Sequence, residues 1–204
     1  MGKVLADESK ENGISINLGP GGNLHRNILC GRHPEYYSED PILTGTLMAY
    51  QARGLEENGV IATYKHLIAN NMEFERKSAH GIIDENTLRD LYLRVFDKAF
   101  SLYKPGCVMT SYNPVNGIYP CENSALLNDL LRGEWGFDGF AMTDWGSYDT
   151  ADSIRSVCAG TNLLTPGSKK HFRMILKAVK RNEISKAALQ HSVKQIVKVL
   201  VRCI

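Results

Sequence analysis

Short apolar runs bounded by Gly, Asn or Pro alternate along this chain with longer stretches whose apolar residues recur at helical spacing. The short runs predict strands over Gly13–Leu18, Val60–Tyr64, Cys107–Ser111, Gly139–Thr143 and Asn162–Leu164, with helices in the gaps between them. The clearest helix is predicted from Glu85 to Tyr103. There Leu88, Leu91, Tyr92, Val95, Phe96, Ala99 and Phe100 make one apolar face, and Asp84 stands where an N-cap belongs. A second helix is expected over Ser124–Glu134 behind Asn123 as cap. A third is expected over Ser185–Arg202, with Ala188, Val193, Ile196, Val197 and Leu200 on one stripe. Asn58-Gly59 and Gly136 with Gly139 mark the turns that enter strands.

Strands separated by whole helices must run parallel, because antiparallel neighbours are joined by short turns rather than crossovers. The chain therefore reads as α/β, and two layouts compete: an open doubly wound sheet and a closed barrel of eight strand-helix units. A dinucleotide-binding sheet wants G-x-G-x-x-G after its first strand. Gly19-Pro20-Gly21-Gly22-Asn23-Leu24 lacks the third glycine, and no P-loop is present. The unusual residues follow several different strands, as expected for a site at the carboxyl face of a (β/α)8 TIM-type barrel. About five strands are predicted where such a barrel needs eight, and the chain opens with a helix-like segment. The reading is thus an incomplete barrel that begins in mid-fold, with its first strands missing.

Composition narrows the classes of function. Lys+Arg 24 against Asp+Glu 22 gives a formal net charge of +2, and no Lys/Arg block provides an electrostatic footprint for nucleic acid or an anionic membrane. No stretch approaches the roughly 20 apolar residues of a membrane-spanning helix. Cysteines 30, 107, 121, 158 and 203 are odd in number, widely spread and free of any C-x-x-C pair. They read as buried thiols of a reducing compartment rather than a disulfide framework. The N-terminus has no apolar h-region, so the expected location is cytoplasmic.

Candidate chemistry sits at the predicted strand ends. After the first strand comes HRNILCGRHPEYYSEDP, residues 25–41, which concentrates Arg, His, Tyr and acids without an amphipathic period. It reads as a solvated loop or as a substrate-binding loop with Arg32 as the clamp. His25, Cys30 and His33 lack a fourth ligand at a recurrent spacing, so no metal is assigned, and no cofactor is called for. The second strand runs into Lys65-His66. A neutral inward His is often a satisfied core residue, whereas a buried Lys needs a partner. Asn70, Asn71, Glu73 and Arg76 follow as a dense hydrogen-bonding run. The third end is Met109-Thr110-Ser111-Tyr112-Asn113. The fourth is Met142-Thr143-Asp144-Trp145, where the carboxylate either caps a helix starting near Asp149 or Asp152 or serves as a reactive group beside a Trp able to stack on a sugar ring. Together these ends suit a small neutral polar substrate.

These residues resemble glycoside hydrolase family 3, the exo-acting β-glucosidases, β-xylosidases and relatives. LGPGGNLHRNILCGRHPEYYSEDP, ATYKHLIANNMEFER, VMTSYNPVNG, LLRGEWGFDGFAMTDW and AGTNLLTPGS occur in the family's order and span essentially the whole chain. The resemblance implies a TIM-type barrel domain, present in part over residues 1–204. It implies Asp144 as catalytic nucleophile, with Arg32, Lys65, His66, Arg76 and Tyr112 holding the sugar beside the scissile bond and Trp145 bordering the next subsite. Tyr112 is expected to hydrogen-bond the nucleophile. The implied activity is retaining exo-β-glucosidase, releasing terminal non-reducing β-D-glucose through a covalent glycosyl-Asp intermediate. The family's acid/base Glu usually comes from a second α/β sandwich domain that this sequence does not contain, although Glu39, Glu73, Glu75 and Glu122 are available here. KHLIANN in place of the KHFPGHG-type loop argues for the glucosidase-like branch.

A barrel short of its first strands exposes sheet edges, which predicts self-association into a homo-oligomer or low stability. Three other readings remain open: a β-xylosidase, a catalytically silent carbohydrate-binding truncated homologue, and an unrelated oxidoreductase or aldolase in which Lys65 would form a Schiff base. The expected partner is a small carbohydrate, a β-glucoside or short oligosaccharide, with no nucleic acid and no membrane.

Overall fold

The computed structural model describes residues 1–203. Among them four strands, β1 (Ile16–Asn17), β2 (Ile61–Leu67), β3 (Cys107–Thr110) and β4 (Phe140–Met142), pair in the order β1-β2-β3-β4, all in parallel. A doubly wound sheet turns back on its first strand, whereas here each strand lies beside its sequence neighbour. The order decides for an arc of barrel.

Four of the predicted strands are shorter than expected, β3 and β4 by one or two residues and two others by more. The first keeps only Ile16–Asn17, because Gly13 turns with φ 68° on one side and Pro20 has no N–H to donate on the other. The run Asn162–Leu164 is reduced to a single bridge between Met142 and Leu163. Asn162 Oδ1 takes the Ala141 amide at 2.8 Å and the Arg132 guanidinium at 2.8 Å, and Pro166 follows three residues after Leu163, so the ladder cannot extend.

Helices lie between the strands as periodicity requires. Pro41–Glu56 starts where Asp40 Oδ1 accepts the amides of Ile42 (2.7 Å) and Leu43 (3.0 Å), with Pro at its first turn. The expected helix from Glu85 spans residues 85–102 and passes through a π-helical stretch, Leu88–Leu93; Asp84 caps it through the Thr87 amide at 3.0 Å. Ala125–Glu134 is also π-helical, with Asn123 Oδ1 on the Leu126 amide. Gly45 lets the first of these helices touch the second backbone to backbone, since a Cβ there would lie 2.4 Å from the Val95 carbonyl. The C-terminal helix runs Lys186–Leu200 behind Ser185 as cap.

Period-two alternation sorts the strand residues onto two faces. Ala62, Tyr64, Val108 and Ala141 face the helices, where they join Met48, Leu55, Phe96, Phe100, Leu127 and Leu131 in the main core. Ile61, Cys107, Met109, Phe140 and Met142 form a second cluster with Val199 and Ile196 of the C-terminal helix. With both faces covered, β2 is buried along nearly its whole length. Its ladder with β3 slips between Tyr64 and Leu67, at the carboxyl end where Lys65 and His66 lie.

Candidate active site

Asp144 leaves the end of β4 and is 7% exposed. Its Oδ1 accepts the Trp145 amide at 2.6 Å. Its Oδ2 has no hydrogen-bond partner among the described residues; its nearest cationic or imidazole neighbours there are His66 Nε2 at 3.5 Å and Arg32 Nη1 at 3.9 Å. Helix capping is done elsewhere: Asp152 Oδ1 takes the amides of Ile154 and Arg155, both at 2.8 Å, at the start of Ser153–Ala159.

His66 is 1% exposed, and burial followed by the nearby charges of Arg32, Lys65 and Arg76 holds it well below its ordinary pKa. Its imidazole is therefore neutral. Arg32 Nη2 lies 2.8 Å from Nε2, and a guanidinium only donates, so Nε2 carries the lone pair and Nδ1 the proton. Nδ1 sits 3.2 Å from Asn23 Oδ1 and 3.3 Å from the Tyr36 hydroxyl. Asn23 also clamps the His66 backbone from both sides, accepting its amide at 3.0 Å and donating to its carbonyl at 2.9 Å. With its lone pair turned toward Arg32, Nε2 donates nothing to Asp144, which explains the unpartnered Oδ2.

The loop after β1 supplies Arg32 and, one short 3-10 turn later (His33–Glu35), Glu35. Glu35 pairs with Arg32 Nε and with Lys65 Nζ, the latter at 3.1 Å. Burial pushes its carboxyl up, but the two cations outweigh this and its pKa falls below the usual glutamate value. Glu73 bridges onward, 3.9 Å from Arg32 Nε and 3.0 Å from Arg76 Nη1. The Arg76 guanidinium lies over the Tyr112 ring at 4.8 Å. The Tyr112 hydroxyl, pushed up to about 12 mainly by burial, keeps its proton and donates it to the Trp145 carbonyl at 2.6 Å, not to the Asp144 carboxylate expected from the sequence. The Trp145 side chain is open to solvent. All seven residues singled out from the sequence thus join one continuous chain of contacts at the carboxyl ends of β1 to β4.

Sequence reasoning missed Asn23, Glu35 and Tyr36. The spacing of Arg32 and Glu35 was a usable signal for one helical-type turn, whereas Asn23 finds His66 across 43 residues and leaves no local trace. Of the carboxylates considered as acid/base, Glu39 and Glu75 are exposed. Glu122 is committed to the Asp152 amide and Arg155, and Glu73 to Arg76. His25 and His33 stack at 4.3 Å.

Burial raises the Asp144 pKa above 3.8, and the Trp145 amide, Arg32, Tyr112 and Lys65 recover only part of this. The folded state therefore holds this proton more tightly than the unfolded chain. The associated stabilisation exists below 3.8 and is lost as pH rises through the folded pKa. Asp144→Asn, which mimics the uncharged carboxyl, is expected to raise the urea midpoint at pH 7, with the gain shrinking as pH falls toward 4. Urea melts of both chains across that range check it; an unchanged or lower midpoint at pH 7 contradicts it.

The model of the glycosyl hydrolase family 3 N-terminal domain matches residues 1–199. The chain belongs to glycoside hydrolase family 3. This family 3 chain is 40% identical over 201 residues to thermostable beta-glucosidase B of Acetivibrio thermocellus, covering 98% of itself and 26% of that protein. It is 40% identical over 203 residues to a beta-glucosidase of Rhizobium radiobacter, covering 24% of that relative. Among solved structures, beta-glucosidase 3B from Thermotoga neapolitana in complex with glucose superposes with a TM-score of 0.94 at 40% identity, over 98% of this chain and 29% of that one. The family 3 chain therefore spans about a quarter of the length of these curated relatives, and its four-stranded arc is part of the family's TIM-type barrel.

Proposed function

We propose that the chain carries the sugar-holding and nucleophilic part of a retaining exo-β-glucosidase site. One observation carries the reading: Asp144 Oδ2 is buried at a barrel-strand end without a hydrogen bond, while its other oxygen is fixed by a backbone amide. An attacking oxygen needs a free lone pair and a fixed direction, and this one has both. Asp144 attacks the anomeric carbon as the bond to the leaving oxygen breaks, and that oxygen takes a proton from a second carboxyl group. Water, deprotonated by the same group, then displaces Asp144 and restores the β configuration. Arg32, Lys65 and Arg76 donate to ring hydroxyls, His66 holds the Arg32 guanidinium in place through its Nε2 lone pair, and Trp145 offers an exposed face to the leaving sugar. Glu35 and Glu73 are already paired with cations, so the proton donor is assigned to protein outside this segment, in keeping with its share of the relatives' length.

An activated 2-deoxy-2-fluoro-β-glucoside tests this, because its good leaving group needs no acid assistance. Intact-mass measurement is expected to show one added fluoroglucosyl group on Asp144. A folded chain that gains no mass would mark a silent sugar-binding homologue, and preferential uptake of the fluoroxyloside would make the substrate a β-xyloside.

A further inference from the structure

Asn23 is 3% exposed and reaches the site only through His66, and its surroundings allow its amide one orientation. Nδ2 donates to the His66 carbonyl at 2.9 Å, which can only accept, and Oδ1 takes the His66 main-chain amide at 3.0 Å, which can only donate. The same Oδ1 lies 3.2 Å from His66 Nδ1, so Nδ1 must bring a proton. The Arg32 contact at Nε2 requires a lone pair there, and the two ends of the ring independently select one uncharged tautomer. We infer that Asn23 is a positioning residue for the reaction at Asp144: as a neutral acceptor it keeps His66 uncharged with its lone pair at Nε2, and so seats the Arg32 guanidinium beside the nucleophile. The inference rests on the reading of Asp144 as nucleophile.

Either other state of the ring would undo this arrangement. A proton on Nε2, alone or in an imidazolium, sets an N–H against the guanidinium and points a donor at Asp144 Oδ2, 3.5 Å away. Arg32 would then lose one of its two holds, the other being Glu35 at Nε, and Asp144 would lose its free lone pair. As built, Arg32 Nη1 stands 3.9 Å from Oδ2, close enough to act on its charge and too far to bond it. Burial and the cations Arg32, Lys65 and Arg76 oppose an imidazolium. Asp144 is the anion that faces the ring, and the Tyr36 hydroxyl, 3.3 Å from Nδ1, is a second neutral acceptor. A carboxylate at position 23 would tip this balance by setting an anion against the Nδ1 proton. The backbone around Asn23 is held firmly: the Gly22 amide donates to the Lys65 carbonyl at 2.6 Å, Gly21 bridges to Lys65, and a Cβ on Gly22 would collide with the Met48 sulfur.

Asn23→Asp tests this, because it keeps the shape and the acceptor for Nδ1 while adding a charge. Long-range 1H–15N spectra of the labelled chain, with His66 assigned by its absence in His66→Gln, are expected to show Nδ1 protonated and Nε2 bare in the wild type at pH 7. In Asn23→Asp both nitrogens are expected to be protonated. Capture of the activated fluoroglucoside, read by intact mass, is expected to slow by roughly 10–100-fold in Asn23→Asp, the equivalent of one hydrogen bond to a charged group. It is expected to recover as pH rises and the imidazolium loses its proton. Asn23→Ala leaves the Nδ1 proton its bond to Tyr36 and is expected to fall between Asn23→Asp and the wild type. Both variants lose the bond to the His66 carbonyl, so their comparison isolates the charge. A purely structural Asn23 reverses the order, with the alanine slower than the aspartate and no new pH dependence, and overturns the proposal. So does a neutral His66 in Asn23→Asp. Should Asn23→Asp not fold, Asn23→Ala combined with Tyr36→Phe removes both acceptors of the Nδ1 proton. That variant is expected to carry the proton on Nε2 and to capture sugar more slowly, and an unmoved proton overturns the proposal. A wild-type chain that gains no mass defeats the nucleophile assignment itself, and the imidazole signals then still report whether Asn23 sets the charge of His66.

Discussion

Asp144→Ala is expected to slow capture of the activated fluoroglucoside by roughly 10⁴–10⁶-fold, the range in which removal of a nucleophile falls. The neighbouring carboxylates are engaged with cations: Glu35 is held by Arg32 and Lys65, and Glu73 Oε2 by Arg76. The alanine also leaves a small vacancy at the strand end. Azide is expected to occupy it and attack the anomeric carbon from the nucleophile's side, so that a dinitrophenyl β-glucoside yields α-glucosyl azide and dinitrophenolate. Product configuration read by NMR, together with the labelling rate read by mass spectrometry, checks both halves. Undiminished labelling in Asp144→Ala would transfer the nucleophile to another carboxylate, and peptide mapping of the adduct would say which.

The second large effect lies at the opposite ends of the strands. Glu56 closes the helix Pro41–Glu56 with a side chain only 2% exposed, and its carboxylate ties four segments together. Oε1 accepts the amides of Gly106 at 2.6 Å and Ala62 at 3.2 Å, which fixes the entries to β3 and β2. Oε2 accepts the Tyr103 hydroxyl at 3.0 Å and the Arg202 guanidinium near the carboxyl terminus. Glu56→Ala strands three donors and one cation. The expected loss of unfolding free energy is about 3–5 kcal/mol, read as a lower urea midpoint. In a chain of this size that corresponds to a melting point lower by roughly 6–20 °C. Glu56→Gln, which keeps an accepting oxygen on the same frame, is expected to recover part of it. A Glu56→Ala chain with an unchanged midpoint would show that solvent replaces these bonds at no cost.

The contrast between Asp144 and Glu56 shows which parts of this protein could be read from its letters. Asp144, Lys65 and His66 stand at the ends of apolar runs that the structure buries, where a polar residue is conspicuous because a parallel strand is covered on both faces. Glu56 stands among other charges at the end of a helix, Gln51-Ala52-Arg53-Gly54-Leu55-Glu56-Glu57, and looks like solvated surface. Its partners are 6, 47, 50 and 146 residues away. The same holds for Asn23 and for the π-helical stretches Leu88–Leu93 and Ala125–Glu134, whose periodicity predicts ordinary helix.

Hydrophobic spacing is a property of neighbours along the chain, so strands, helices, their parallel arrangement and the position of polar residues at strand ends were all present in the amino-acid order. The monotonic strand order that selects barrel over doubly wound sheet, the pairing of Glu35 with Lys65, the tautomer of His66 and the free oxygen of Asp144 were not. Each depends on desolvation and on hydrogen-bond partners brought together from segments far apart in sequence, and those exist only once the segments have packed.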